Sequence, residues 1–149
     1  MPIVFLSPST QDWNPYVTGS GSEEYWMNRI VDAMEPYLRS NGIRYRRNDP
    51  DTSAGAAIRE ANSGYYDFYL ALHSNAIGNG SAGGQRGAEL IAKNLREIYP
   101  LPDKVTTRPT TALGEVSRSR FPAVLVEIGY HDNYSDALWL ESHVEDVAR

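Results

Sequence analysis

Cysteine is absent from this chain of 149 residues, and histidine occurs only three times. Without cysteine the chain forms neither disulfide bonds nor thiolate metal sites, which leaves histidine, aspartate and glutamate as its strong metal ligands. No apolar run approaches the roughly 18 residues of a membrane-spanning helix. The first residues also lack the basic start and the apolar stretch of a secretory signal. We therefore expect neither a membrane span nor a signal peptide in this sequence.

Basic residues are in deficit, with 14 Lys and Arg against 19 Asp and Glu, so the formal net charge is −5. Capture of nucleic acid needs clustered basic residues, and this balance argues against it. The 41% of hydrophobic and 22% of charged residues are typical of one globular domain, which we place over residues 1–149. Because the last residues still follow a helical pattern, we expect this domain to be truncated at its C-terminal end.

Apolar runs that predict strands alternate with segments of helical periodicity. Strands are predicted over residues 3–6, 43–47, 68–72 and 123–128. Helices are predicted over 23–40, 54–62 and 88–98 and from 135 onward, with a glycine-rich loop over 77–87 and a connector over 100–111. The alternation predicts an α/β fold, a mostly parallel twisted sheet with helices on both faces. In such sheets the functional site lies at the carboxyl ends of the strands.

Four residues are candidates for chemistry at that edge. His73 follows a buried strand, and Glu127 interrupts an apolar run in which a carboxylate must be paired, protonated or bound to metal. Glu23 and Glu24 open the first long helix, and both fall within about 60° of its apolar stripe, so either one can face inward. We predict a histidine and glutamate metal or acid–base site, with Glu127 on a central strand and in the same cavity as His73. The alternatives are a helix-dipole role for Glu23 or Glu24 and a purely structural hydrogen bond for His73.

Ordered motifs in this sequence resemble one known family. The segment His73-Ser74-Asn75-Ala76 resembles the S-x-H-x-N-A strand end of the zinc-dependent N-acetylmuramoyl-L-alanine amidases of the amidase-3 family. Residues 122–130, with Asn133 and Asp136, resemble that family's P-A-V-L-V-E-x-G-F-x-x-N-x-x-D block. Two helices are also similar, one through Glu24 and Asn28 and the other through Arg59, Ala61 and Asn62.

The resemblance implies an α/β fold and hydrolysis of the amide between N-acetylmuramic acid and L-alanine in peptidoglycan. In that family two histidines and one glutamate hold a zinc ion, and a further glutamate is the acid–base catalyst. Carried over by position, Glu24 and His73 are metal ligands and Glu127 is the catalytic carboxylate. The implied cofactor is Zn²⁺, and the implied partner is peptidoglycan or a muropeptide. A substrate in the cell wall implies export or cell lysis.

Two departures from the family pattern bear on the metal. The family's first zinc-binding histidine lies in a turn where this chain has residues 7–11, and Thr10 or Gln11 occupies the equivalent place. His131, four residues after Glu127, is an alternative third ligand. The family's G-x-x-x-Y strand also has no clear counterpart in residues 78–87. We therefore expect a weakened metal site.

Two other functions stay open at this point. The chain could be a degenerate relative that binds muropeptide or cell wall without hydrolysing it. It could also be a hydrolase of the same fold with a changed metal or substrate, whose site combines Glu24, His73, His131 and Glu127.

Overall fold

The computed structural model describes residues 1–74 and 82–149. Their strands form one parallel sheet in the order β2-β1-β3-β4. The strands are β1 (Ile3–Pro8), β2 (Arg44–Arg47), β3 (Phe68–His73) and β4 (Ala123–Glu127). The helices are α1 (Glu23–Ser40), α2 (Ala54–Ser63), α3 (Ala82–Ile98), α4 (Gly114–Ser117), α5 (Tyr134–Ser142) and α6 (Val144–Ala148), with a 3-10 turn at Pro102–Lys104. This parallel α/β architecture confirms the predicted fold.

In the described ranges, no helix has both the length and the apolar character that a membrane crossing requires.

Alternating side chains of the strands build a core on each face of the sheet. On one face, Leu6, Leu70 and Val124 pack with side chains of α1, α3, α5 and α6. On the other face, Phe5 and Tyr69 pack against α2 and α4. Successive side chains of a strand point to opposite faces, so each strand contributes to both cores. The helices therefore cover both faces, as the alternation of strands and helices predicts.

The largest difference from the prediction lies at the start of α3. The glycine-rich loop was predicted over residues 77–87, but this helix begins at Ala82, so the prediction is wrong over residues 82–87. Packing against the sheet explains why a glycine occurs inside this helix at position 87. A Cβ on Gly87 would lie only 2.8 Å from Cζ of Phe68. The missing side chain lets the helix approach the sheet closely. The final helical segment is divided into α5 and α6, and α4 was not predicted. Residues 75–81, which include Asn75 and Ala76 of the family-like motif, lie outside the described residues.

Side chains of α5 hold the turn that follows β4. Gly129 has a φ of +67°, a conformation that glycine adopts without strain. The Asp136 carboxylate accepts the Tyr130 N–H at 3.0 Å and the Tyr99 hydroxyl at 2.6 Å. The Asn133 side chain caps α5 by accepting the Asp136 N–H at 3.1 Å. The asparagine and aspartate of the family-like block thus fix the backbone behind the end of β4.

Replacement of Gly129 by alanine is expected to destabilise the chain by about 2–3 kcal/mol. A side chain at positive φ costs about 1–2 kcal/mol, and the new Cβ would also lie 3.3 Å from Cβ of Asp136. Gly42→Ala is the matched control, because Gly42 has a φ of +68° with nothing within 4 Å of the added Cβ. Urea unfolding of both variants measures the difference. Equal losses of stability would show that crowding against Asp136 contributes nothing.

Candidate functional site

The candidate site lies at the carboxyl ends of β3 and β4. His73 ends β3 and Glu127 ends β4, and their Cα atoms are partners in the parallel pairing of these strands. Register partners point their side chains to the same face of a sheet, so the structure brings these two residues together on one face. Within the described residues β4 is an edge strand, so the prediction that Glu127 lies on a central strand is wrong. The edge position follows from the strand order, which the apolar pattern of β4 did not reveal.

A buried imidazole between two carboxylates forms the centre of the site. Nδ1 of His73 lies 2.9 Å from Oε1 of Glu23, and Nε2 lies 2.7 Å from Oε2 of Glu115. The three residues are only 9%, 2% and 5% exposed, respectively. Charged groups at such depth are retained only when they are paired. His73 is therefore fixed in both position and ring orientation.

Glu115 is a site residue that the sequence reasoning missed. Its Oε1 accepts hydrogen bonds from the Ser7 hydroxyl at 2.6 Å and from the Tyr69 hydroxyl at 2.7 Å. Ser7, Tyr69 and His73 occupy alternate strand positions on one face of the sheet, and α4 places Glu115 over them. A helix of four residues has no measurable periodicity, so no sequence pattern pointed to this carboxylate.

Opposite charges dominate the electrostatics of this cluster. Burial by itself lowers the pKa of His73, but hydrogen bonds to Glu115 and Glu23, together with their charges, raise it to about 10. For Glu23, burial works toward a higher pKa. The hydrogen bonds from His73 and Asn14 prevail and hold the pKa of that carboxyl below its ordinary value. At neutral pH the metal-free cluster therefore holds an imidazolium between carboxylates.

Metal-free protein is expected to lose stability as the pH rises from about 6.5 toward 10. A group whose pKa is higher in the folded state contributes stability that is complete below the unfolded value and is lost as the pH passes the folded value. For His73 these values are 6.5 and about 10. Urea midpoints measured across this range in the presence of a chelator should fall for the wild type and stay flatter for His73→Gln. Parallel profiles of the two proteins would contradict this assignment.

Of the two acidic residues that open α1, Glu23 reaches His73. Ser22 caps the helix by accepting the Tyr25 N–H, which places Glu23 in the first turn with its side chain buried. The Asn14 amide donates to Oε2 of Glu23 at 3.0 Å. Glu24 is only half-buried, and the structure does not bring it into contact with His73 within the described residues. The structure thus places Glu23, and not Glu24, against His73, while the assignment of Glu24 as a metal ligand stays a prediction.

The turn after β1 also reaches the site. Nε2 of Gln11 lies 3.4 Å from Nδ1 of His73, and Oε1 of Gln11 accepts the Asn14 amide at 2.9 Å. Thr10 is buried beside it, at 8% exposure. Of the two residues predicted at the place of the missing histidine, Gln11 is the one whose side chain contacts the site.

His131 lies next to the cluster of Glu23, His73 and Glu115 and is separated from it by Ser74. Its Nδ1 is 3.0 Å from the carbonyl oxygen of Ser74, and its ring stacks on Tyr16 with centroids 5.8 Å apart. The backbone N–H of Val17 donates to the carbonyl oxygen of His131 at 2.9 Å, which joins the loops that follow β1 and β4. His131 therefore helps to assemble the site through Ser74, the neighbour of His73. In the described residues it contacts neither Glu23 nor His73.

Comparison with known proteins identifies similar chains, although no protein-family model matches this sequence. N-acetylmuramoyl-L-alanine amidase LytC of Bacillus subtilis (strain 168) is 27% identical over 159 residues. The match covers 95% of this chain, which spans about a third of that relative, 32% of its length.

Solved structures match over nearly the whole chain. The amidase AmiC2 of Nostoc punctiforme superposes with a TM-score of 0.81 at 15% identity, covering 99% of this chain and 91% of that one. An N-acetylmuramoyl-L-alanine amidase from Clostridium difficile 630 gives the same TM-score of 0.81 at 17% identity, covering 99% and 90%. At these identities the superpositions establish the fold. The relative that is similar in sequence and the two solved structures that share the fold are all named as N-acetylmuramoyl-L-alanine amidases.

Proposed function

We propose that this chain hydrolyses the amide bond between N-acetylmuramic acid and L-alanine in peptidoglycan. The observation that carries the proposal is the buried His73, held between two carboxylates and paired in register with Glu127. This arrangement lies at the sheet edge where parallel α/β proteins place their sites. The relatives named as amidases support the same substrate class.

We also propose that Glu23 and His73 hold a zinc ion. They offer one carboxylate and one imidazole nitrogen 2.9 Å apart, and the neutral Gln11 amide lies beside them. The Nε2–H of His73 donates a hydrogen bond to Oε2 of Glu115, an arrangement typical of metal-binding histidines. In the described part of the chain, no three His, Asp or Glu side chains form a metal-binding group. Catalytic zinc normally takes three protein ligands, so these residues fit a weakly held ion.

When bound, the ion would lower the pKa of a coordinated water to about 7 and polarise the substrate carbonyl. Glu127 would take the proton of the attacking water and deliver it to the nitrogen of L-alanine as the C–N bond breaks. The products are the lactyl carboxylate and a free amine. Glu115 fixes the ring of His73 through Nε2, while Asn14 orients the carboxylate of Glu23.

A second function is favoured by one observation. Both ring nitrogens of His73 already have carboxylate partners, and Thr10 and Gln11, the two candidates for the place of the family's first histidine, are poor zinc ligands. If these contacts persist when metal is offered, the chain binds muropeptide or cell wall without hydrolysing the amide. The two functions differ in whether an amine is released.

The deciding experiment incubates the purified chain with N-acetylmuramoyl-L-alanine peptides and measures the freed amine of L-alanine. Release is expected with added zinc and is expected to stop after dialysis against a chelator. Binding of muropeptide without release would favour the second function, and bound metal without release would indicate a different substrate. Tightly held zinc in a His131→Ala variant would place the third ligand elsewhere, with the turn of residues 7–11 as the first place to look.

A further inference from the structure

A groove of about 270 Å³ runs along the outer edge of β4. One wall is the apolar side of α3, with Ile91 and Leu95, and the opposite wall is the connector over residues 104–108. Glu127 lines the same groove. The groove therefore reaches the carboxyl end of β4, where the proposed catalytic residue lies.

The floor of the groove offers backbone hydrogen-bonding groups. Pro122 accepts a hydrogen bond from Tyr69 N–H, and Ile128 donates one to the carbonyl of His73, so the even-numbered residues of this strand face β3. Backbone groups alternate in direction along a strand, and Leu125 therefore presents its N–H and C=O to the outer side. Within the described ranges no hydrogen bond reaches these two groups. An unpaired strand edge is a template for an extended peptide.

The charge on the connector indicates which peptide fits. Lys104 and Arg108 line the groove and are exposed, and neither forms an ion pair among the described residues. These cations belong to a chain whose net charge is −5. They complement a ligand that carries free carboxylates, such as the peptide that follows L-alanine in a muramoyl peptide.

We propose that this groove binds the peptide side of the substrate. The peptide lies extended on the edge of β4, its carboxylates contact Lys104 and Arg108, and its amide to muramic acid lies at Glu127. This assignment rests on the proposed function and adds a substrate preference to it. Muramoyl peptides with free carboxylates should bind more tightly than their amidated forms.

The test compares two substrates, N-acetylmuramoyl-L-alanyl-D-glutamate and its diamide. Lys104→Ala combined with Arg108→Ala is expected to raise KM for the free acid about tenfold, since each exposed charge pair contributes up to about 1 kcal/mol. KM for the diamide and kcat for both substrates should change little. Lys93→Ala, which removes an exposed cation of α3 outside the groove, is the matched control. Circular dichroism checks that the double variant is folded.

An unchanged KM for the free acid in the double variant would overturn the proposal. If the wild type hydrolyses neither substrate, the proposed function fails, and calorimetric titration of the intact compounds decides on the groove alone. Tighter binding of the free acid by the wild type than by the double variant would support it, and equal binding would overturn it. Sedimentation that shows a dimer unable to bind either compound would assign the edge of β4 to a second copy of the chain.

Discussion

Glu127→Gln is expected to lower amide hydrolysis at least about 100-fold, the lower range for the loss of a positioned general base. Glutamine matches glutamate in size and hydrogen-bonding reach, but its amide cannot accept the proton of the attacking water. Glu127 ends β4 beside the register position of His73, so the substitution leaves the buried cluster of Glu23, His73 and Glu115 in place. Stability and metal content should therefore stay close to those of the wild type.

Initial rates with N-acetylmuramoyl-L-alanine peptides measure this loss, and unfolding midpoints confirm that the variant is folded. Glu97→Gln, the same change at an exposed position of α3, is the control that should keep full activity. Wild-type turnover by the Glu127 variant would remove this residue from the mechanism.

His73→Ala should produce the largest loss of stability among single changes at the site, about 3–5 kcal/mol, the range for removing one partner of a buried ion pair. The substitution leaves Glu23 and Glu115 buried without the cation between them. Bound metal should be lost as well, because His73 is the only imidazole in the proposed ligand set.

Urea unfolding and metal analysis of the same preparations test both effects. His131→Ala is the matched control, because it removes an imidazole whose ring nitrogen bonds to a backbone carbonyl rather than to a buried carboxylate. Its loss should be about 1 kcal/mol, the size of an ordinary hydrogen bond. A second comparison adds Glu23→Gln to His73→Ala, and recovery of part of the lost stability would show that the uncompensated carboxylate causes the loss. Equal losses in His73→Ala and His131→Ala would contradict this account.

The strands and their parallel arrangement could be predicted from the sequence because apolar runs and helical periodicity are local signals. The glutamate in the apolar run of β4 was likewise sufficient to point to a site. The sequence alone could not show which of Glu23 and Glu24 faces His73. Adjacent helix positions differ by about 100°, and both residues lie near the apolar stripe. Which of them faces His73 depends on how α1 is oriented against the end of β3, which only the packed structure defines.

Glu115 shows a different limit. Its partners, Ser7, Tyr69 and His73, come from two strands that are far from it in sequence. Only the pairing of β1 with β3 brings these donors together under α4. The start of α3 was missed for another reason. Glycine lowers helix propensity, so the glycines of this segment predicted a loop. In the folded chain, the close packing of α3 against Phe68 requires glycine at position 87.

The hydrogen bond from the Tyr130 amide to Asp136 provides an internal probe of the turn that follows β4. The Tyr130 amide hydrogen is held by a side chain of α5, and the same carboxylate binds the Tyr99 hydroxyl at the end of the α3 region. That amide can exchange with solvent deuterium only while its hydrogen bond to Asp136 is broken. Its exchange rate therefore reports how often the link between α5 and the turn after β4 opens, and it can be measured without substrate or metal.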